Sequence, residues 1–250
     1  MNQISVIIIT KNEAENIGNC IISAQLITNN IIVADSGSTD NTCEIVLQKN
    51  ATLLQVDWKG YGQTRNEAAK LATYDWILTL DADERVTEKL AGYINNLIFT
   101  NNNIVYGFKR ENFWGRRKIK FGEWGRDKVY RLYNKQQATW NLAFVHENIV
   151  GENIEKKLLS GSVLHYTMKN TAGYRKKSIL YAKLSADKYL LTGKKATLIK
   201  RFISPIFSFI QNYFFRLGFL DGKDGLTIAY ISALYIFKKY KYLNELSVNN

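Results

Sequence analysis

Two carboxylates stand two residues apart in Asp81-Ala82-Asp83, directly after the apolar run Trp76-Ile77-Leu78-Thr79-Leu80. A pair of aspartates just past a strand can hold a hard divalent cation, which keeps several waters and bridges to substrate phosphates. The chemical use of such a cation is to neutralise a departing diphosphate. The same spacing also occurs in solvated turns, so the buried strand before it is what favours chemistry. A second polar cluster is Asp35-Ser36-Gly37-Ser38-Thr39-Asp40. A carboxylate at Asp35 could accept from a base N–H or a ribose hydroxyl, while Ser38, Thr39 or Asp40 could simply cap the next helix. A third is Thr10-Lys11-Asn12-Glu13, where Asn12 and Glu13 could also be only a helix start. Arg65 and Asn66 could reach a pyrophosphate or form a surface pair.

These clusters need elements that hold them. Ile4–Thr10 is a continuous apolar run of the kind that forms a strand buried on both faces. Residues 13–26 read as a helix with Ile17, Ile21, Ile22 and Leu26 on one side, and residues 31–34 as a second buried strand. Thr42–Gln48 is a short helix, 52–56 a third strand, 63–72 a helix and 76–80 a fourth strand. Alternating strands and helices predict a parallel α/β sheet. Ligands of such sheets bind outside the carboxyl ends of the strands. All three polar clusters fall at those ends, which is hard to explain as a solubility device.

Four ordered motifs make the sequence recognisable: Thr10-Lys11-Asn12-Glu13, Asp35-Ser36-Gly37-Ser38-Thr39-Asp40, Gly62-Gln63-Thr64-Arg65-Asn66 and Leu80-Asp81-Ala82-Asp83-Glu84. In order and spacing they resemble family 2 glycosyltransferases, over roughly residues 1–150. Arg131-Leu132-Tyr133, Val145-His146-Glu147 and the aromatic C-terminal helices look like the branch of lipopolysaccharide-core β-1,4-glucosyltransferases. The resemblance implies a GT-A-like, mostly parallel twisted sheet flanked by helices, with a helical, aromatic-rich C-terminal appendage. It implies a catalytic domain over 1–170, with a nucleotide-sugar half over 1–100 and an acceptor-side half over 101–170. The segment 171–250 would be helical, basic and membrane-associating.

It also implies roles. Asp35 would read uracil or an equivalent base, aided by Thr10, Asn12, Glu13 and Ser36. Asp81, Ala82 and Arg65 would lie near the donor, and Asp83 would bind Mg2+ or Mn2+. Trp124, Arg131 and His146 would lie on the acceptor side. The loop around Trp124 could equally be an aromatic mini-core. Glu147 would be the general base, and His165 has no role to carry over and reads as structural. The implied reaction is an inverting transfer of a hexose from a nucleoside diphosphate sugar, UDP-linked, to a hydroxyl of a lipid-linked or envelope glycan such as lipopolysaccharide core.

The base can also be argued from the residues. The candidates past Asp83 are Glu111, Glu123, Asp127, Glu147, Glu152 and Glu155. Glu152 and Glu155 alternate with polar residues, and Glu111 lies beside Arg110. Asp127 falls between Arg126 and Lys128, where an ion pair would keep its basicity poor. Glu147 follows Leu142-Ala143-Phe144-Val145, and partial burial there would raise its pKa toward a useful value. Asp127 stays as the alternative base, and a structural His146–Glu147 pair as the alternative to any catalytic role.

Charge and composition bound the rest. The 250 residues carry a net charge of +12. Residues 1–100 hold 7 basic and 12 acidic side chains, and residues 101–250 hold 27 and 10. A basic half beside an acidic one points to an anionic partner. Nucleic acid is disfavoured, since no zinc spacing or RNP-like motif is present and acidic strand ends repel phosphate without a metal. A sugar-nucleotide nucleotidyltransferase would show a Gly-rich, basic loop after the first strand, where this chain has Thr10-Lys11-Asn12-Glu13-Ala14. Cys20 and Cys43 have neither CxxC nor metal-ligand spacing, so a reducing compartment fits.

No 19-residue stretch is a credible membrane span, which leads us to expect a cytoplasmic enzyme, peripheral on the inner membrane. Residues 199–217 and 226–240 are dense in Phe, Tyr, Ile and Leu, with Lys200, Arg201, Arg216, Lys238, Lys239 and Lys241 at their edges. Pro205 should interrupt the first, and residues 221–225 should separate the two. Such segments suit an anionic interface, or else a lid or dimer contact.

Overall fold

A computed structural model describes residues 3–142, 147–168 and 170–248. The chain runs β1 (Ile4–Thr10), α1 (Ile17–Ala24), β2 (Ile31–Asp35), α2 (Thr42–Gln48), β3 (Thr52–Gln55), α3 (Tyr61–Lys70), β4 (Trp76–Asp81), β5 (Glu84–Val86) and α4 (Glu88–Asn95). It continues with β6 (Ile104–Trp114), β7 (Arg117–Lys118), β8 (Lys128–Asn134), β9 (Thr139–Trp140), β10 (Ile149–Val150) and β11 (Glu155–Met168). Three helices close it: α5 (Thr171–Leu191), α6 (Ser204–Ile210) and α7 (Gly222–Val248). Two compact units emerge, Met1–Arg110 with Lys128–His165, and Glu111–Asp127 with Tyr166–Asn250.

The main sheet has the order β3-β2-β1-β4-β8-β6-β11-β5, with β7 paired to β6, and β9 and β10 form a separate pair. Pairing is parallel from β3 to β4 and antiparallel from β4 to β8 and from β8 to β6. Every residue of β1 is buried, because both faces of this central strand are covered. Its Ile4, Val6 and Ile8 join a cluster with Ile17, Cys20, Ile21, Ala24, Leu90 and Ile94. Ile7 and Ile9 join the other cluster, with Ala68, Ala69 and Ala72 from the α3 side. The alternation of a strand thus feeds two cores.

Helix α1 is shorter than expected and turned differently. Its buried face carries Ile17, Cys20, Ile21 and Ala24, while Ile22 and Leu26 are exposed. Residues 13–16 form turns instead of helix, because Asn12 has a left-handed φ of 54° and the following amides bond to the neighbouring loop. Gly62 permits close packing of α3 on the segment after β9: a Cβ there would lie 2.1 Å from the Asn141 carbonyl oxygen.

In the second unit, the residues around Pro205 stay helical. Wide π-type turns over Ile199–Ile203 and Gln211–Phe215 flank α6, and Pro205 sits in the first turn of α6, where a missing N–H is tolerated. The break falls at Leu217–Asp221, since α7 already starts at Gly222. The loop 111–127 groups with the C-terminal helices. Asp221 accepts from the amides of Lys120 and Phe121 at 3.1 and 2.8 Å, and Glu123 accepts from Ser232. Among the described residues, no helix is long and apolar enough to cross a membrane.

Candidate active site

Register aligns the strand ends. Thr10 lies opposite Asp35 across β1 and β2, and Ile9 lies opposite Asp81 across β1 and β4. The expected edge therefore exists, with Thr10, Asp35 and Asp81 along it.

At the β2 end, Asp35 is buried and spent largely on its own turn. Its Oδ2 accepts from the amides of Gly37 and Ser38 at 3.0 and 2.8 Å, and the Ser38 hydroxyl donates to Oδ1. Ser36 donates its amide to the Thr10 carbonyl at 3.1 Å, and the buried Thr10 hydroxyl has no hydrogen-bond partner among the described residues. Asn12 laces the first loop to the second, donating its amide to Ser38 at 2.8 Å and accepting from the Thr39 amide at 2.8 Å. Glu13 donates its amide to Thr42 at 2.9 Å. Asp40 does serve the helix start: it accepts from the Thr42 hydroxyl at 2.5 Å and from the Thr42 amide at 3.1 Å. The Thr42 hydroxyl bond holds the Asp40 carboxyl below its ordinary range.

At the β4 end, two arginines converge on one carboxylate. Arg65, only 1% exposed, reaches Asp81 Oδ1 at 2.6 Å, and Arg131 reaches Oδ2 at 3.0 Å. Burial alone would raise the Asp81 carboxyl, but Arg131 and then Arg65 outweigh it and hold it well below the usual carboxylate range. The other arm of Arg65 reaches Glu147 Oε1 at 2.7 Å. Burial works against the Arg65 cation, yet Asp81 and Glu147 prevail and shift its pKa upward. Trp140 underlies both guanidinium groups, with ring centroids 4.5 Å from Arg65 and 5.3 Å from Arg131. Asn66 fixes that strand by exchanging two hydrogen bonds with the Trp140 backbone, at 2.8 and 3.0 Å. The motif Gly62-Gln63-Thr64-Arg65-Asn66 is thus an anchoring device, not a surface pair.

The turn that follows is equally constrained. The amide of Ala82 bonds the Ile9 carbonyl at 3.2 Å, and the Asp81 amide donates to Glu84 at 3.0 Å. Glu84 is fully buried and meets Arg110 at 3.5 Å. Asp83 points elsewhere: its Oδ2 lies 3.4 Å from His165 Nε2, contributed by β11. Asp81 is already engaged by two guanidiniums. Asp83 and His165 thus bring a carboxylate oxygen and an imidazole nitrogen together at this turn. Among the described residues, no group of three or more His, Cys, Asp or Glu side chains could hold a metal ion. Two protein ligands still fit a cation such as Mg2+, which keeps waters and shares substrate phosphates.

The structure thus gathers Thr10, Asp35, Arg65, Asp81, Arg131 and Glu147 around the strand ends. His146 and its neighbours 143–145 lie outside the described residues, while Leu142 is exposed. Among the described residues, Glu147 pairs with Arg65, and the apolar residues 143–145 expected to bury it lie outside the described residues. Trp124 and Asp127 belong to the second unit. Trp124 packs with Trp114 and Tyr174 at centroid distances of 5.9 and 5.2 Å, which is the aromatic mini-core arrangement. Asp127 accepts from Asn112 at 3.1 Å.

Sequence reasoning missed Trp140 and the meeting of His165 with Asp83. Both contacts join distant segments, and only the isolated imidazole in an apolar strand offered a signal.

The sequence pattern of glycosyl transferase family 2 matches residues 5–180. The chain belongs to that family and is a glycosyltransferase. It is 30% identical over 263 residues to an uncharacterized glycosyltransferase of Rickettsia prowazekii (strain Madrid E), covering 100% of this chain and 89% of that protein. It is 27% identical over 261 residues to the lipopolysaccharide core biosynthesis glycosyltransferase LpsC of Rhizobium meliloti (strain 1021), covering 95% and 93%. A solved glucosyl-3-phosphoglycerate synthase from Mycobacterium tuberculosis, in complex with Mn2+, UDP and glucosyl-3-phosphoglycerate, aligns over 45% of each chain. Its identity is 24% and its TM-score 0.35.

Proposed function

We propose that this glycosyltransferase moves a hexose, with inversion, from a UDP-linked sugar to a hydroxyl of a lipid-linked or envelope glycan such as lipopolysaccharide core. The observation that carries the reading is the end of β4, where Asp81 holds two buried arginines and Asp83, two residues on, meets His165. The name of the Rhizobium relative supports the acceptor class. Asp35, Ser36, Thr10, Asn12 and Glu13 would cradle the base and ribose. Asp81 and Ala82 would line the diphosphate side, and Arg131 and His146 the acceptor side.

Asp83 and His165 would hold Mg2+ or Mn2+, which would supply charge neutralisation to the leaving diphosphate. Glu147 takes the proton of the acceptor hydroxyl as its oxygen bonds to the anomeric carbon. The bond from that carbon to the diphosphate breaks, and the diphosphate leaves with the electron pair. Glu147 is paired with Arg65. A diphosphate at this edge would share the Arg65 guanidinium with Glu147. The site would work on the cytoplasmic face of the inner membrane.

The test is donor hydrolysis and transfer across a panel of nucleotide sugars, with Mn2+ and with excess chelator. Metal-dependent turnover of one UDP-sugar supports the reading, and full activity in chelator sinks it.

A further inference from the structure

The segment 198–215 is an amphipathic helix turned inside out. Its stripe Ile199, Phe202, Ile203, Ile206, Phe207, Ile210 and Phe214 follows the i, i+3, i+4, i+7 spacing of one helical face. That face is the exposed one: Ile199 is 69% accessible and Phe207 is 61%. The opposite side buries Pro205 and Asn212, and Asn212 is within 3.4 Å of Glu123. Beyond the stripe, Phe215, Leu217, Phe219 and Leu220 are exposed as well. Leu217 adopts a left-handed φ of 58°, a conformation that costs a bulky side chain and suits glycine. An apolar surface of this extent marks an interaction site.

Charge identifies the occupant. Between Asp187 and Asp221 there is no acidic side chain, while Lys194, Lys195, Lys200, Arg201 and Arg216 all fall there. Lys194, Lys195 and Lys200 are exposed, beside the first turn of the stripe. Not every basic residue expected at this surface serves it. Lys239 is buried, its ammonium 4.7, 5.4 and 4.8 Å from the rings of Tyr189, Tyr235 and Tyr240, and Lys241 pairs with Glu245. A second copy docking through this same face would set lysines against lysines. An anionic bilayer offers both an apolar interior and negative headgroups.

We infer that residues 194–220 lie in the interface of an anionic lipid bilayer, with the stripe inserted among the acyl chains and the three lysines among the headgroups. This deepens the membrane-face reading proposed above but requires none of its transfer chemistry. The body that carries the stripe also carries Trp124 and Asp127, so docking would hold that loop near a membrane-borne acceptor.

The experiment is co-sedimentation of the full chain with phosphatidylglycerol-containing vesicles and with pure phosphatidylcholine vesicles, at low and high salt, without sugar donor. Wild type should bind the anionic vesicles and release them as salt rises. Ile203→Gln/Phe207→Gln/Ile210→Gln and, separately, Lys194→Glu/Lys195→Glu/Lys200→Glu should each weaken binding by about tenfold or more. Circular dichroism and donor hydrolysis confirm that each variant is folded. The inference is overturned if wild type ignores anionic vesicles, or if both folded variants bind as wild type does. It is also overturned if wild type is a dimer that the apolar substitutions dissociate while vesicle binding is absent. Loss of vesicle binding with donor hydrolysis intact separates this surface from the transfer reaction.

Discussion

The two units distribute polar and apolar groups in opposite ways. The first buries charge: Arg65, Arg131 and Glu84 sit inside, each with an opposite charge, and the half-buried Asp81 pairs with both arginines. The second also buries a few polar groups, such as Asp221 and Asn212, but it turns a row of isoleucines and phenylalanines outward. Buried charge is costly unless paired, and exposed apolar surface is costly unless covered. Each unit therefore carries a feature that folding alone does not reward. In the first the feature is centred on an ordered ion network, and in the second on a surface. Changes in one should damage chemistry or stability, and changes in the other should damage attachment.

The largest effect should come from Asp83→Ala. This carboxylate meets His165 at the proposed cation site. Transfer should be abolished while the unfolding midpoint stays close to wild type, and chelation of wild type should reproduce the loss. A variant with normal turnover would remove Asp83 from the chemistry and leave the first unit with a purely structural ion cluster.

Arg65→Met should sharpen the same contrast through stability. It strips a buried cation from two carboxylates, a change that typically costs roughly 3–5 kcal/mol. Denaturant unfolding should show it. If the variant is as stable as wild type, the network is solvated in solution and the contrast between the units weakens.

Glu147→Gln comes next. It keeps the shape of the side chain and loses the proton acceptor, so turnover should fall roughly 10²-fold or more with donor affinity retained. Asp127→Asn, in the second unit, should cost much less. The reverse ranking would place the base on the loop that packs with the C-terminal helices.

The two units also differ in how much of them could be read from sequence. The strand ends were legible because an apolar run closed by an acid has one common meaning in a parallel sheet, and Thr10, Asp35 and Asp81 do align there. The roles within the cluster were not legible. Trp140 lies 75 residues from Arg65, and His165 lies 82 from Asp83, so no local pattern announces either contact. In the C-terminal segment, composition gave an apolar stretch with basic edges but not the direction it faces. A row at helical spacing looks the same whether it faces a core or faces out, and only the packing of Pro205 and Asn212 decides it.

The smallest effect we expect is on the pH dependence of stability in the second unit. Tyr174 lies against Trp114 and Trp124, and its hydroxyl is 3.3 Å from Ser232. Burial pushes its phenol up to about 12, from an ordinary value near 10. A raised acid binds its proton more tightly in the folded chain than in the unfolded one. Its contribution is therefore complete below about pH 10 and is lost as pH climbs toward 12. For Asp81, in the first unit, the sign is opposite. Asp81 is depressed, so its contribution is present above the unfolded value near 4 and is lost as acid titrates it. Unfolding midpoints followed from pH 9 to 12 should fall for wild type, and the fall should be shallower for Tyr174→Phe. The same substitution should leave the acid limb below pH 4 unchanged, whereas Asp81→Asn should flatten that limb and leave the alkaline one alone. If Tyr174→Phe flattened neither limb, the aromatic packing around Trp124 would be open to solvent, and the loop would be less firmly held than its contacts indicate.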